Sequence, residues 1–267
     1  MTLSRRAGAG WGSWLVRLDY RGDDPSDPGE AAALAVTHQL LPHPRVLDLG
    51  VGGGRTTTLL AGRSASYVGI DSSPAMVKMA RARHPDVDLR LGDARDLAAI
   101  GDGAVDLVVF SHNGIDCLVP QERADFLADA HRVLAPSGLL LFSTLNLDGP
   151  SYGEKPVLPD LRGRLAERGL RRTAQGLPGT ALRAVLAQRN YSRNRNRAAA
   201  TDDWALAPLR THEFRFVVHF VRLGAVRRQV HESGFDVLGA WTNTGQPVDP
   251  AAERHPDDYV HLLCRRR

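Results

Sequence analysis

The chain has 267 residues, of which 43% are hydrophobic and 24% charged, as in ordinary folded proteins and unlike disordered or collagen-like chains. Its two cysteines, Cys117 and Cys264, are too few for a disulfide framework or a four-ligand zinc site, so we expect no metal site and a reducing, cytoplasmic setting. No apolar run approaches the roughly 18–20 residues that cross a bilayer, and the first residues lack the apolar core of a signal peptide. We therefore expect neither membrane association nor secretion.

The net charge of +4 is distributed unevenly along the chain. Residues 151–200 carry ten Arg and one Lys against three acidic residues, a local charge of +8, so the rest of the chain carries −4. A mildly acidic body with one basic segment is not a surface built to cover nucleic acid. We do not expect a nucleic-acid partner.

The chain alternates short apolar runs with segments of helical composition. A helix is predicted at 30–41, followed by strands at 45–49, 67–71, 87–91, 105–110 and 138–143, with helices at 56–62, 74–83 and 120–134 between them. After residue 146 come short helices at 158–168 and 180–188, an extended segment at 214–220, a helix at 223–232, and strands at 235–241 and 259–264. This alternation predicts a parallel sheet covered by helices on both faces.

The most informative stretch is VLDLGVGGGR, residues 46–55. Glycines 50, 52 and 54 after a strand let the backbone pass close to a ligand at the carboxyl edge of a sheet. A dinucleotide motif needs glycine where Arg55 stands, and a phosphate-binding loop needs a Lys-Ser/Thr pair that does not follow. Asp48 suits a cationic ligand better than a pyrophosphate.

Five features in this order resemble the class I S-adenosylmethionine-dependent methyltransferases. They are the motif from Asp48 to Gly54, Asp71 at the end of the second strand, Gly92-Asp93-Ala94 after the third, FSHNGID (110–116) after the fourth, and RVLAPSG (132–138) before the fifth. Ser137 replaces the first glycine of the family's usual RVLKPGG step. The resemblance covers residues 30–146 and, in outline, 214–264.

The resemblance implies an α/β fold with a Rossmann-like, seven-stranded, mostly parallel sheet whose last strand is antiparallel. It implies S-adenosyl-L-methionine as cofactor and S-adenosyl-L-homocysteine as product. We expect residues 1–30 to form an N-terminal cap, 31–147 with 211–267 the cofactor-binding methyltransferase domain, and 148–210 a basic, lid-like insertion over the acceptor pocket.

By resemblance, the cofactor contacts come from the loops that follow the first four strands. Asp71 would hold both ribose hydroxyls, Asp93 would read the adenine amino group, and Met76 would lie on the adenine. The expected cofactor-binding residues are Asp48, Gly50, Gly52, Gly54, Asp71, Ser72, Met76, Asp93, Ala94 and Ser111. Structural alternatives stay open: glycines for a tight turn, Asp71 as a helix cap, Asp93 as a turn residue and Met76 as core.

Methyl transfer needs a general base only when the acceptor must lose a proton, so the resemblance implies no universal catalytic residue. His112, beside the expected methyl position, and His219, near the end of the segment 214–220, are the candidate catalytic residues. The alternatives are a structural hydrogen-bonding role for His112 and a solvated face for His219. The candidate substrate-binding residues are Tyr20, Asn113 and Tyr191, and the arginines of 189–197 would form either a cationic mouth for an acidic acceptor or a solvated surface.

The leading hypothesis is a methyltransferase acting on oxygen or nitrogen of a small-molecule acceptor, such as a secondary metabolite. An RNA methyltransferase is one alternative, and it predicts salt-sensitive RNA binding through Arg193, Arg195 and Arg197. A non-catalytic S-adenosylmethionine-binding protein is a second. A nicotinamide oxidoreductase is disfavoured by Arg55. The sequence is compatible with a monomer or a homodimer.

Overall fold

The structure, a computed structural model, describes residues 27–157, 181–249 and 251–267. The predicted cap before residue 27, with Tyr20 in it, and the predicted helix at 158–168 lie outside the described residues. No described helix is long and apolar enough to cross a membrane.

The first half of the described chain alternates helices and strands as predicted. Its elements are α1 (Pro28–Leu40), β1 (Arg45–Leu49), α2 (Arg55–Leu60), β2 (Ser66–Asp71), α3 (Pro74–Arg83), β3 (Asp88–Leu91), β4 (Val105–Phe110), α4 (Pro120–Val133) and β5 (Leu134–Leu145). Two of these helices begin at polar caps followed by proline. The Asp27 carboxylate accepts the Glu30 backbone N–H at 2.8 Å to start α1, and Ser73 caps α3. Both are favourable helix starts.

The second half adds two sets of strands. Its elements are α5 (181–194), β6 (Ala199–Ala200), β7 (Trp204–Pro208), β8 (Val217–Val221), α6 (Leu223–Glu232), β9 (Phe235–Thr242), β10 (Pro247–Val248) and β11 (Tyr259–Arg266). The helix predicted at 180–188 is longer than expected, because α5 continues to residue 194.

The main sheet has the strand order β10-β9-β11-β5-β4-β1-β2-β3. β1 pairs in parallel with β2 and β4, and β2 with β3 and β4 with β5 are also parallel. β11 is antiparallel to both neighbours. The predicted fold class is confirmed, and the two-residue strand β10 adds an eighth strand at the edge that was not predicted.

Both faces of the main sheet are covered by helices. Along β1, Val46 packs with α1 and α2 in one apolar cluster, whereas Leu47 and Leu49 pack on the opposite face with α4 and α6. Because successive residues of a strand point to opposite faces, β1 contributes side chains to the apolar core on each face of the sheet. The strand order reverses at β1, between β2 and β4, and ligands of open α/β sheets bind beside the carboxyl ends of the strands at such a point.

A second sheet, β6-β7-β8, is antiparallel and lies beside the end of β5. The segment predicted as extended from 214 forms β8 only from Val217, because residues 212–214 adopt left-handed backbone angles. β8 pairs with β7 of the insertion rather than with the main sheet. Phe216, Val218 and Phe220 pack with Leu145 and Ala205 in an apolar cluster that joins the two sheets.

Candidate functional site

A cavity of about 780 Å³ opens at the carboxyl ends of β1, β2, β3 and β4. Its volume lies in the upper half of the range typical of small-molecule sites, about 300–1,000 Å³. One end is formed by the loops that follow these strands, and the other by residues 209–216 and Val218 together with the ends of β5 and β11. The sequence-predicted residues that line it are Gly50, Gly52, Asp71, Ser72, Met76, Asp93, Ala94, Ser111, His112 and Asn113.

The glycine loop after β1 has the left-handed backbone that its sequence predicts. Gly50, Gly52 and Gly54 have φ of +68°, +54° and +90°. The Gly50 N–H donates to the Ile70 carbonyl at 2.8 Å, which ties the loop to β2. A Cβ on Gly54 would lie 2.8 Å from the His84 ring, so the third glycine serves packing against His84 and does not line the cavity.

Asp48 lies behind this loop and does not line the cavity. It is fully buried and accepts a hydrogen bond from the Tyr67 hydroxyl at 2.6 Å. Burial raises its pKa to about 6. Its position makes it a support for the loop rather than a wall of the cavity.

Asp71 links the glycine loop to the start of α3. Its carboxylate accepts the Gly52 N–H at 2.9 Å and the Ser73 N–H at 2.8 Å. Burial raises the pKa of Asp71, and the two backbone hydrogen bonds oppose that shift. Each carboxylate oxygen can accept a further hydrogen bond, so the group can hold two neighbouring hydroxyls while keeping its backbone partners.

The residues expected to contact adenine lie at the cavity wall, but the Asp93 carboxylate already has an ion-pair partner. The Arg95 Nε donates to Asp93 at 2.9 Å, and Arg95 also reaches Glu122 at 2.8 Å. The Asp93 side chain is 40% exposed. Met76 is buried at the start of α3 and lines the cavity.

A partly buried charged cluster joins α1, α2 and the end of β4. Arg55 donates to Glu30 at 2.9 Å and to the Ser111 hydroxyl oxygen at 3.1 Å, and the Ser111 hydroxyl donates to Glu30. Burial alone would raise the pKa of Glu30, but the hydrogen bonds and charge of Arg55 hold it below the ordinary value. The sequence analysis did not predict this cluster, and it considered Arg55 only as an argument against a dinucleotide-binding site. The signal available was an arginine directly after a glycine turn.

The loop after β4 carries His112 and Asn113 in left-handed conformations, with φ of 53° and 59°. Non-glycine residues held this way store about 1–3 kcal/mol each and need support from their surroundings. The Asn113 N–H donates to the Ser143 hydroxyl at 2.7 Å. A Cβ on Gly114 would lie 2.2 Å from the Phe110 ring, so the turn requires glycine there.

A buried ion pair fixes the end of this loop. Asp116, in the 3₁₀ turn Gly114–Cys117, pairs with Arg123 of α4 at 2.7 Å, and both side chains have zero exposure. Asp116 also accepts from the Thr144 hydroxyl at 2.7 Å and from the Leu145 N–H at 2.6 Å. The pair therefore joins the His112 loop to α4 and to the end of β5.

His219 and Tyr191 do not line the cavity. The solvated alternative for His219 is wrong, because the side chain is 3% exposed and its ring stacks on Trp204 at 5.6 Å. Burial and the nearby charge of Arg123 lower the pKa of His219 to about 3. Tyr191 packs edge-on against Phe214, with ring centres 5.3 Å apart.

The other cavity end is formed by the loop before β8, by Val218 of β8 and by the ends of β5 and β11, and none of its lining residues was predicted individually from the sequence. Leu145, Leu209, Phe216 and Val218 make it largely apolar, and Ser151, Thr211, His212, Asp258 and Tyr259 add polar groups. Within the described ranges no three His, Cys, Asp or Glu side chains are grouped in a way that could hold a metal ion.

The fold is Rossmann-like, and part of the chain is similar to known methyltransferases. A family model described as a methyltransferase domain matches residues 46–138. The uncharacterized methyltransferase of Synechocystis sp. is 36% identical over 141 residues, which is 52% of this chain and 62% of that protein. The ubiquinone biosynthesis O-methyltransferase of Xanthomonas campestris is 34% identical over 162 residues, 58% of this chain and 59% of that protein.

Among solved structures, the CcbJ methyltransferase of Streptomyces caelestis is 18% identical with a TM-score of 0.60, covering 96% of this chain and 98% of the other. That likeness concerns the fold. The chain spans about three fifths of the two sequence relatives named above. These matches confirm the resemblance read from the sequence for residues 46–138, which are similar to a methyltransferase domain.

Proposed function

We propose that the protein is an S-adenosyl-L-methionine-dependent methyltransferase that acts on oxygen or nitrogen of a small-molecule acceptor. The observation that carries the proposal is the composition of a single cavity. One end has the glycine loop and Asp71, and the other end is a largely apolar wall from Leu145, the loop before β8 and Val218. A donor and an acceptor can therefore lie side by side in one site, as methyl transfer requires.

The residues at the first end fit the methyl donor. Gly50 and Gly52 present bare backbone with positive φ, and Asp71 keeps lone pairs for the two ribose hydroxyls. Met76 would lie on the adenine and Asp93 would accept its amino group. When bound, the donor supplies a methyl carbon activated by a positively charged sulfur.

The Glu30–Arg55–Ser111 cluster lies at the same end and offers charges of both signs. We infer that it would receive the amino-acid part of the donor, which carries both an ammonium and a carboxylate. Because Glu30 and Arg55 already neutralise each other, the site would bind a zwitterion without gaining net charge.

The chain's own part in the reaction is mainly alignment and exclusion of water. The His112 loop lines the cavity and would hold the acceptor near the methyl carbon. Its left-handed conformation and its anchors at Ser143 and Arg123 favour a rigid geometry. His112 stays a candidate catalytic residue.

The small-molecule class of the acceptor has two supports. The acceptor end is largely apolar, which suits a compact organic molecule rather than a polyanion. The relative from Xanthomonas is named as an O-methyltransferase of ubiquinone biosynthesis.

The test is release of S-adenosyl-L-homocysteine from S-adenosyl-L-methionine with a panel of phenols, catechols and heteroaromatic amines. Gly52→Val serves as the matched inactive control, because its side chain would occupy the space beside Asp71 where the donor is proposed to bind, without touching the acceptor end. We expect turnover with at least one class of acceptor and none in the control. Equal background release by both proteins with every acceptor would contradict the proposal.

A further inference from the structure

The loop between β7 and β8, residues 209–216, forms much of the acceptor end of the cavity. Leu209, Thr211, His212 and Phe216 of this loop all line it. None of these residues was singled out from the sequence, and nothing in the family motifs assigns them a role.

Three consecutive residues of this loop are conformationally strained. His212, Glu213 and Phe214 have φ of 57°, 55° and 55°. Left-handed backbone is rare for residues with a side chain, and such residues occur as single positions rather than in runs. Strain of this kind persists only where the surrounding structure fixes it, and it concentrates at functional sites.

Helix α5 of the insertion supplies the fixing contacts. The buried Asn194 side chain donates to the carbonyls of Phe214 at 2.9 Å and Arg215 at 3.0 Å. Asn190 donates to the Glu213 carbonyl at 2.9 Å. Two asparagines from one helix thus hold three consecutive carbonyls, those of residues 213–215, and two of these belong to the strained residues.

The strained turn sends neighbouring side chains in different directions. Phe214 is buried against Tyr191 of α5, whereas His212 faces the cavity. The His212 ring meets Phe216 edge-on, with ring centres 5.7 Å apart and planes at 84°. The strained turn therefore places the His212 imidazole beside the aromatic and apolar residues of the cavity wall.

Building on the proposed methyltransferase function, we propose that His212 is the catalytic residue of the acceptor end and that Asn194 is its positioning residue. The acceptor is a planar aromatic that carries a hydroxyl or ring N–H, because it must fit against Phe216, Leu209 and Val218. Imidazole is the side chain best suited to accept a proton near neutral pH.

The reaction is a displacement at the methyl carbon. An electron pair on the acceptor oxygen or nitrogen forms a bond to the methyl carbon while the carbon–sulfur bond breaks, and that bond's electrons stay on sulfur. The acceptor's proton passes to a ring nitrogen of His212 and then to water. No further co-reactant is needed.

Catechol is the probe, because it is planar, apolar on both faces and carries two hydroxyls. In protein labelled with ¹³C at histidine, saturated with S-adenosyl-L-homocysteine, we expect one imidazole resonance to shift on addition of catechol. The same resonance should be absent from His212→Asn. The control is His231→Asn on α6, which should keep the shift.

Turnover gives the second readout. With catechol and S-adenosyl-L-methionine, His212→Asn should lower kcat by about 10²-fold or more, the range for loss of a general base, with affinity for S-adenosyl-L-homocysteine unchanged. His231→Asn should match the wild type. Asn194→Ala should lower kcat by about 10-fold with little change in KM. Adding Glu213→Gly should recover most of that loss, because glycine adopts the left-handed angle without strain.

The outcomes separate two failures. Full activity of His212→Asn, failure of Glu213→Gly to recover kcat, or no shift and no turnover with catechol while S-adenosyl-L-homocysteine binds would overturn the roles of His212 and Asn194 alone. Absence of S-adenosyl-L-homocysteine binding to the wild type would overturn the methyltransferase function as well.

Discussion

Breaking the buried Asp116–Arg123 ion pair should be among the most destabilising single changes in the described chain. Both side chains have zero exposure, and Asp116 accepts hydrogen bonds from Arg123, the Thr144 hydroxyl and the Leu145 N–H. Asp116→Ala leaves a guanidinium buried without its counter-charge, which costs about 3–5 kcal/mol. Asp116→Leu combined with Arg123→Met removes both charges and should be at least about 2 kcal/mol more stable than Asp116→Ala.

Urea unfolding followed by far-ultraviolet circular dichroism measures these free energies. Asp102→Ala is the matched control, because Asp102 pairs with Arg132 at a similar distance of 2.8 Å but is 79% exposed, and exposed pairs contribute about 0–1 kcal/mol. A loss below about 1 kcal/mol in Asp116→Ala, or a double variant no more stable than the single one, would refute the reasoning.

The remaining predictions concern the cofactor end of the cavity and pH. Asp71→Ala should weaken S-adenosyl-L-homocysteine binding, measured by calorimetry, by about 1–3 kcal/mol because a charged acceptor is lost, whereas the exposed Asp88→Ala should not; equal affinities would contradict this. Gly52→Val should abolish that binding because φ is +54° and the side chain enters the cavity, whereas Gly62→Ala, with nothing within 4 Å, should bind normally. Burial raises the pKa of Asp48 from 3.8 to about 6, so its stabilising effect is present below pH 4 and lost as pH rises through 6. Asp48→Asn should therefore gain about 2 kcal/mol relative to wild type between pH 4 and 7.5 in urea unfolding, and a pH-independent difference would count against it.

The parallel half of the fold could be predicted from local pattern alone. The first strand was predicted at 45–49 and found at Arg45–Leu49, and the fourth at 105–110 was found at Val105–Phe110. These strands are buried on both faces and are flanked by glycine, proline or charged residues. The flanking residues therefore indicate where each strand begins and ends. The motif residues follow those limits, which is why the glycine loop, Asp71 and Asp93 fell at one sheet edge.

The acceptor end could not be predicted, because its geometry depends on distant contacts. The alternation of residue types in 214–220 indicated a strand with His219 on a solvated face. In the structure the His219 ring stacks on Trp204 and lies near the charge of Arg123, so this face of β8 is buried. The turn at 212 depends on Asn194, eighteen residues earlier in the sequence. Composition does not reveal such a contact.

Calorimetric titration of the wild-type protein with S-adenosyl-L-homocysteine tests the central claim most directly. The account predicts saturable binding to one site per chain, lost in Gly52→Val and retained in Gly62→Ala. Titration to millimolar concentration without heat of binding, or undiminished binding by Gly52→Val, would contradict it.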